Sequence, residues 1–365
     1  MRRNYNESDV LEAKEALDRI IKKSRVHLYK PIQIAEILYH FRVEGEIDLD
    51  DVEQYRNRSK KWRDEICIQL LGNVCTSSQK FQDNLFENNA IPPRILSILG
   101  SEDVRTGGAV EAYIYSCFMK RRCQLANALS YCRNSTKDTF EVQHLINMFW
   151  EEPGLKRSID KIYEIIVYAL FRTICMTMEL RVDINVNPDR MNILLEFEDF
   201  TKKVMCLDVN NPISSQEANV FRVGTANAAD RGLDLYSNWG PAIQVKHLSL
   251  DEELAEDIVT SISSDRVIIV CKTAEKGVIL SLLTQIGWRS HIQSIITEQD
   301  LIEWYEKALR GQFSDQMGNM ILSLLNNEII SEFPSVSTYP ETLIERGYED
   351  ISDSLWSTNN GVIRS

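Results

Sequence analysis

The chain has 365 residues, 44% of them hydrophobic and 26% charged, with a formal net charge of −13. That size permits two domains, or one large core with a helical addition, and the balance is that of a soluble globular protein. The acidic total excludes a generic nucleic-acid coat protein, which needs a positive surface, but not an enzyme that gathers its cations in one cleft.

In chain order, residues 1–150 read as mostly helical. SDVLEAKEALDRIIKKS has apolar positions at helical spacing, with Ser8 as the expected N-cap. KPIQIAEILYHFR and KKWRDEICIQLLGNV follow the same period. AIPPRILSILG predicts a helix entered through prolines and closed by Gly100. AVEAYIYSCFMKRRCQLANALSYC predicts a longer one, and the EEPGLKRS turn at 151–158 is the best boundary. IDKIYEIIVYALFRTICMTM then predicts a long apolar helix. LRVDINVN and MNILLEFED read as strands around an Asn-Pro-Asp turn at 187–189. After residues 230–250, DEELAEDIVTSI predicts a helix with Ser249 and Glu252 as a capping box. RVIIVCK (266–272) is a continuous apolar strand, KGVILSLLTQIG a helix, IQSIIT (292–297) a strand and EQDLIEWYEKALRG a helix. This order predicts an α/β sandwich with a mixed sheet.

Other features bound the setting. The basic N-terminus is followed by no apolar leader, and the run Ile165–Met178 is too short to span a bilayer and contains Arg172. Eight cysteines form no C-x-x-C pair and lie mostly in apolar segments, which suits free thiols in a reducing cytoplasm. Basic clusters stand at KKSRVHLYK (22–30), RNRSKKWR (56–63) and KRR (120–122). Beyond residue 310 the chain is strongly acidic, with Arg346 and Arg364 its only cations.

The most informative stretch is DRGLDLYSNWGPAIQVKHLSL, residues 230–250. Leu233–Asn238 and Ala242–Leu248 read as two strands joined by Trp239-Gly240-Pro241. A loop centred on Gly240 sets residue 234 opposite 246. Asp234, Gln244 and Lys246 then share one face, and Ile243 and Val245 point to the other. A two-residue loop would put Asp234 on the wrong side. Such a trio suits phosphodiester hydrolysis. Mg²⁺ seeks oxygen ligands in octahedral geometry. The Asp234 carboxylate, the Gln244 side-chain oxygen and the Val245 backbone carbonyl can supply part of that shell. Lys246 can orient an attacking water and offset developing charge. The plain alternative is a surface hairpin with its polar residues in water. The triplet also occurs as Glu12-Ala13-Lys14, but in an amphipathic helix. His247 should face away from Lys246 and take no catalytic part.

NAADRGLDLYSNWGPAIQVKH resembles the active-site hairpin of the PD-(D/E)XK nucleases, and its Gly-x-Asp, Gln-x-Lys form resembles their Mrr-like branch. RSKKWRDEI, TSSQKFQDNLFENNAIPPRIL, VEAYIY, KIYEIIVYALF and GTANAADRGLDLYSNWGPAIQVKHLSL extend the likeness over most of residues 55–250, to type II restriction endonucleases of the HaeII-type family. The resemblance implies an α/β (α+β) fold with a PD-(D/E)XK core at 151–310. A helical domain at 1–150 precedes it and an acidic extension at 311–365 follows. It further implies Mg²⁺-dependent cleavage of double-stranded DNA at a short, GC-rich palindrome by a homodimer, with a cognate DNA methyltransferase as functional partner. Asp234 takes the place of the metal-binding Asp and Lys246 that of the Lys. Gln244 stands where an acid is usual, so the metal site is one negative charge short. The superfamily often carries a Glu on the helix before the sheet, which makes Glu164 the catalytic candidate to supply that charge. The alternative is a helix-surface pairing of Glu164 with Lys161. Asp230 is expected in an outer or turn-capping role.

Specific DNA reading needs cations on phosphates and polar side chains on base edges. Arg56, Lys60, Lys61 and Arg63 in EQYRNRSKKWRDE, with the polar residues of 76–90, are expected to contribute, against solvated helix faces as the alternative. Two other functions stay open: a modification-dependent or repair endonuclease on the same core, and a non-catalytic helical DNA-binding protein.

Overall fold

The computed structural model describes residues 5–72, 74, 84–86, 90–223, 233–251, 253–254, 258, 264, 266–274, 292–333 and 341–357. The first half is helical, as its periodicity predicts. Helices α1 (Glu7–Lys23), α2 (Tyr29–Glu44), α3 (Arg58–Leu71), α4 (Pro93–Thr106) and α5 (Ala109–Asn134) bury Leu17, Ile32, Leu38, Leu70, Leu96 and Tyr115 in one core. Two helix ends differ from expectation. Asn6 caps α1, not Ser8: its Oδ1 accepts from the Asp9 amide at 2.8 Å, because Asn6 is the last extended residue and Ser8 already lies in the first turn. Helix α4 passes through Gly100 and stops at Gly107, which takes φ +69°. A Cβ on Gly100 would stand 2.3 Å from Leu49 Cδ1, so this glycine permits a close approach rather than a stop. In the KRR cluster, Arg121 caps α1 from outside, donating to the carbonyls of Ile21, Ser24 and Arg25 at 2.5–2.9 Å.

Helix α5 joins two cores. Its first turns pack in the helical half. Leu125, Leu129 and Cys132 pack with α6 (Val142–Glu151), α7 (Ile159–Thr177) and the sheet. The change of partners falls inside α5, ahead of the 151–158 turn.

The sheet has five strands in the order β3 (Val220–Arg222), β4 (Leu235–Ser237), β5 (Ala242–Leu250), β6 (Val267–Ala274) and β7 (Ile292–Thr297). β3, β4 and β5 run antiparallel, and β5, β6 and β7 run parallel. Strand β6, the continuous apolar run, is covered on both faces, as parallel strands require. Val270 packs in the core of α7, and Ile269 and Cys271 in a smaller cluster on the other side. Helices α10 (Glu298–Arg310) and α11 (Ser314–Glu332) close the α7 face, and Tyr305 Oη donates to the Ile166 carbonyl at 2.8 Å. The expected α/β class with a mixed central sheet flanked by helices is what the chain forms.

Other expectations need correction. MNILLEFED is not a strand but the helices α8 (Met191–Glu196) and α9 (Glu198–Met205). The Asn187 side chain accepts from the Asp189 amide and starts a turn into a run of helix formers. The strand β1 (Arg181–Asn185) pairs instead with β2 (Ile213–Glu217) in a separate two-stranded sheet. Ser249 does not cap a helix, since it lies in β5. Asp251 takes that place, accepting from the Leu254 amide at 2.8 Å. The helix expected at 276–287 lies outside the described residues. The acidic C-terminal segment packs on both cores. Helix α11 lies along α7, whereas Arg346 pairs with Glu36 at 2.6 Å and Trp356 Nε1 donates to Glu102 at 3.3 Å in the helical half. The seven described cysteines are free, and no described helix is long and apolar enough to cross a membrane.

His27 stands between the rings of Tyr29 and Phe333, and burial pushes its imidazole down to about 4. The unfolded chain therefore binds this proton more tightly than the native one. The neutral ring contributes fully above pH 6.5, and the contribution is lost as pH falls toward 4, on the order of 3 kcal/mol in all. A His27→Gln variant should lose less melting temperature than the wild type between pH 7 and pH 5. Parallel curves would show that His27 is not the group concerned.

Candidate active site

The hairpin forms with one register difference. Leu235 pairs with Ile243 and Tyr236 with Ala242, so the row of Asp234 lies level with Gln244 rather than Lys246. The Ser237 amide donates to the Pro241 carbonyl at 3.0 Å, which leaves Asn238-Trp239-Gly240 as the loop, centred on Trp239. The loop is still odd in length, so the parity of the faces is unchanged. Gly240 takes φ +123°, and Arg266, which donates to the Trp239 carbonyl at 2.7 Å, occupies the space of a Cβ there. Ile243 and Val245 point into the α7 core as expected, and His247 points there too, 3.3 Å from Glu298 and against the ring of Tyr163.

Asp234 sits where β4 and β5 part. The ladder between them holds two residue pairs, and beyond it the Val245 amide donates to Asp234 Oδ2 at 2.8 Å instead of to a strand carbonyl. A strand residue presents its N–H and C=O at the same edge. The Val245 carbonyl therefore also lies on the Asp234 side. Gln244 Nε2 donates to the same Oδ2 at 2.5 Å. Gln244 is only 1% exposed, yet its Oε1 is buried without a hydrogen-bond partner. An orphaned buried acceptor costs about 1–3 kcal/mol, so its persistence asks for a ligand. Lys246, half-buried on the same strand, makes no hydrogen bond or ion pair among the described residues and acts on Asp234 through its charge.

Helix α7 brings the second carboxylate. Glu164 is 3% exposed, and both its oxygens accept from Lys161 Nζ at 2.8 Å. Glu164 pairs with Lys161, though inside the fold rather than on a helix surface, and it lies within electrostatic reach of Asp234. Burial pushes the Glu164 carboxyl up to about 7, with the Asp234 charge adding to it and Lys161 opposing. Burial also raises Asp234 above the usual carboxylate range, against the Val245 amide and Lys246. Two carboxylates crowded this way hold protons readily and give them up to a cation.

The donor set is hard: two carboxylates, one amide oxygen and one backbone carbonyl at the strand edge. That set fits an oxygen-seeking divalent ion and not a thiophilic one. Among the described residues no three His, Cys, Asp or Glu side chains share one ion-sized space. Asp230 lies outside the described residues.

Sequence reasoning missed Arg222. From β3 its guanidinium reaches Glu328 at 2.5 Å and Glu332 at 2.9 Å on α11, and Glu164 at 3.9 Å. The signal available was the pair Glu328 and Glu332, four residues apart on one helix face in a segment nearly without cations. The expected DNA contacts lie on α3 and the turn before it. Lys61 is exposed, while Arg56 stands 3.6 Å from Glu53. Arg63 does not fit the expectation. It is 3% exposed and donates to Asp64 and Gln33, so it belongs to the packing between α2 and α3.

Residues 13–348 match the family model of the HaeII restriction endonuclease. The chain is 56% identical over 328 residues to the type II restriction enzyme HaeII of Haemophilus aegyptius, covering 90% of this chain and 93% of that one. It is 55% identical over 341 residues to the type II restriction enzyme NgoBI of Neisseria gonorrhoeae, covering 93% and 97%. No solved structure matches it. An Asp at a parted hairpin, a Gln-x-Lys strand beside it, and identity above one half along nearly the whole length agree: this chain belongs to the HaeII restriction endonuclease family.

Proposed function

We propose that this restriction endonuclease hydrolyses phosphodiester bonds of double-stranded DNA at a short palindromic sequence, as a homodimer, with Mg²⁺ held by Asp234, Gln244 and the Val245 carbonyl. The observation that carries the reading is the parted strand junction. There the buried Asp234 carboxylate meets the amide of Gln244, whose Oε1 has no partner and whose strand also carries Lys246. The GC-rich composition of the target and a cognate methyltransferase follow from the family resemblance.

A divalent ion bound there would make a water more acidic and offset charge on the phosphate. The chain's own groups do the rest. Asp234 fixes the site, because its Oδ2 is already held by two donors from β5. Turned over, the Gln244 amide would exchange its Nε2 bond to Asp234 for an Oε1 aimed at the same space, where a bound cation would satisfy both oxygens, while the Val245 amide keeps its hold on Asp234. Lys246, with no competing ion pair among the described residues, donates to the attacking water or to the phosphate oxygen on which charge develops. Glu164 adds the carboxylate that Gln244 lacks, once its proton leaves. Arg222 and Lys161 hold it in place from two sides. Arg56, Lys60 and Lys61 contribute phosphate contacts from the helical half.

The test is incubation of the purified protein with unmodified plasmid and Mg²⁺. Discrete fragments that vanish with a chelator are expected. Cleavage of methylated plasmid alone would transfer the reading to a modification-dependent enzyme, and intact plasmid under both conditions would overturn it.

A further inference from the structure

Between α7 and β3 the chain leaves the core for about 40 residues. β1, α8, α9 and β2 form an arm in which only Leu194 and Leu207 are buried. Among the described residues, no hydrogen bond or ion pair joins residues 181–216 to the rest of the chain. The tie comes at the base, where Asn238 Nδ2 donates to the Glu217 carbonyl at 2.7 Å. Two buried side chains are too small a core to hold such an excursion by themselves.

The arm is also apolar on its outside. Eight large hydrophobic side chains of the arm, from Ile184 to Ile213, are more than a third exposed, with Leu195 at 64%, Val204 at 63% and Ile213 at 60%. Ile193 and Leu195 stand exposed on α8, Phe200, Val204 and Met205 on α9, and Phe197 at the break between the two helices. Together the exposed side chains offer on the order of 1,000 Å². A standard interface buries about 800 Å² per partner, and the largest apolar patch on a monomer is about 300–600 Å².

We infer that this arm is the surface through which two copies of the chain pair. Three observations select a second copy. The exposed apolar area is of the order that one partner of a stable dimer buries. The charge opposes DNA, since residues 178–217 carry eight acidic and four basic side chains. And the arm is rooted in the site: it leaves from the end of the helix that carries Glu164 and returns into the strand that carries Arg222. Pairing of two arms about a two-fold axis would fix the separation of two active sites, as cutting both strands of a palindrome requires. An apolar patch that meets its own copy is self-complementary without any further design. The inference rests on the homodimer part of the proposed function and assigns it a place.

The test is the mass of the full-length protein in solution by light scattering, without DNA, for the wild type and for a Leu195→Asp, Phe200→Asp, Val204→Asp variant. The wild type should show twice the 42.1 kDa of one chain, and the variant a single chain with an unchanged circular dichroism spectrum. Double-strand cleavage at nanomolar enzyme should fall at least tenfold, with nicked circles appearing first. If that variant does not fold, Leu195→Ser with Phe200→Ser serves, read by the concentration at which the dimer halves, which should rise at least tenfold. A folded variant that stays dimeric overturns the assignment of the arm while leaving the homodimer standing. A wild type of single-chain mass overturns both. Neither outcome depends on whether the protein cuts DNA.

Discussion

Replacing Lys246 by alanine should lower cleavage of cognate DNA by at least about 100-fold, the usual cost of removing one donor aimed at developing charge. The fold should be unaffected, because the Lys246 ammonium makes no hydrogen bond or ion pair among the described residues and its strand is held by β6. DNA affinity in Ca²⁺ should stay within a few-fold of wild type. Asp234→Ala provides the contrast. It removes the acceptor of the Val245 amide and the Gln244 amide, so both cleavage and divalent-ion affinity should be lost. The readouts are single-turnover cleavage and metal titration by calorimetry. A Lys246→Ala enzyme that cuts within tenfold of wild type would remove Lys246 from the chemistry.

The largest effect on stability should come from Arg222→Met. Its guanidinium is 11% exposed and touches Glu164, Glu328 and Glu332. Methionine comes close to the volume and deletes the charge, which leaves three carboxylates without the cation that joins them. Breaking a buried pair from one side costs on the order of 3 kcal/mol, here a fall of about 5 °C in melting temperature. Part of the loss should return in the Arg222→Met, Glu332→Gln double variant, because one uncompensated charge is gone. An unchanged melting temperature in the single variant would mean that water, not protein, balances these carboxylates. The result bears on the C-terminal segment, since Glu328 and Glu332 belong to the stretch that looked like an acidic extension and in fact braces the sheet edge at β3.

Much of this was legible in the residues. Helical period and strand alternation report which side of an element is apolar, and that suffices for α1 through α5, for α7, for the hairpin and for β6, where the pattern is unbroken. It fails where a segment has no core to face. MNILLEFED reads as a strand but folds as helices, in an arm with almost no interior for its apolar residues to face. The parity that puts Asp234, Gln244 and Lys246 on one face depends on the oddness of the loop, a local property, and it survived a one-residue shift of the loop centre.

By itself the sequence determined the side chains on offer: residue type and spacing set out a Gly-x-Asp and a Gln-x-Lys strand, and the family resemblance added a Glu on the preceding apolar helix. Only the tertiary structure decided what those groups meet. It parted β4 from β5 so that the Val245 amide turns to Asp234, left Gln244 Oε1 without a partner, buried Glu164 against Lys161, and brought Arg222 to two glutamates more than a hundred residues away. The physical reason is range. Spacing along a strand or helix fixes directions over a few residues, whereas burial and charge pairing depend on which distant segments share a low-dielectric space, and no local pattern records that.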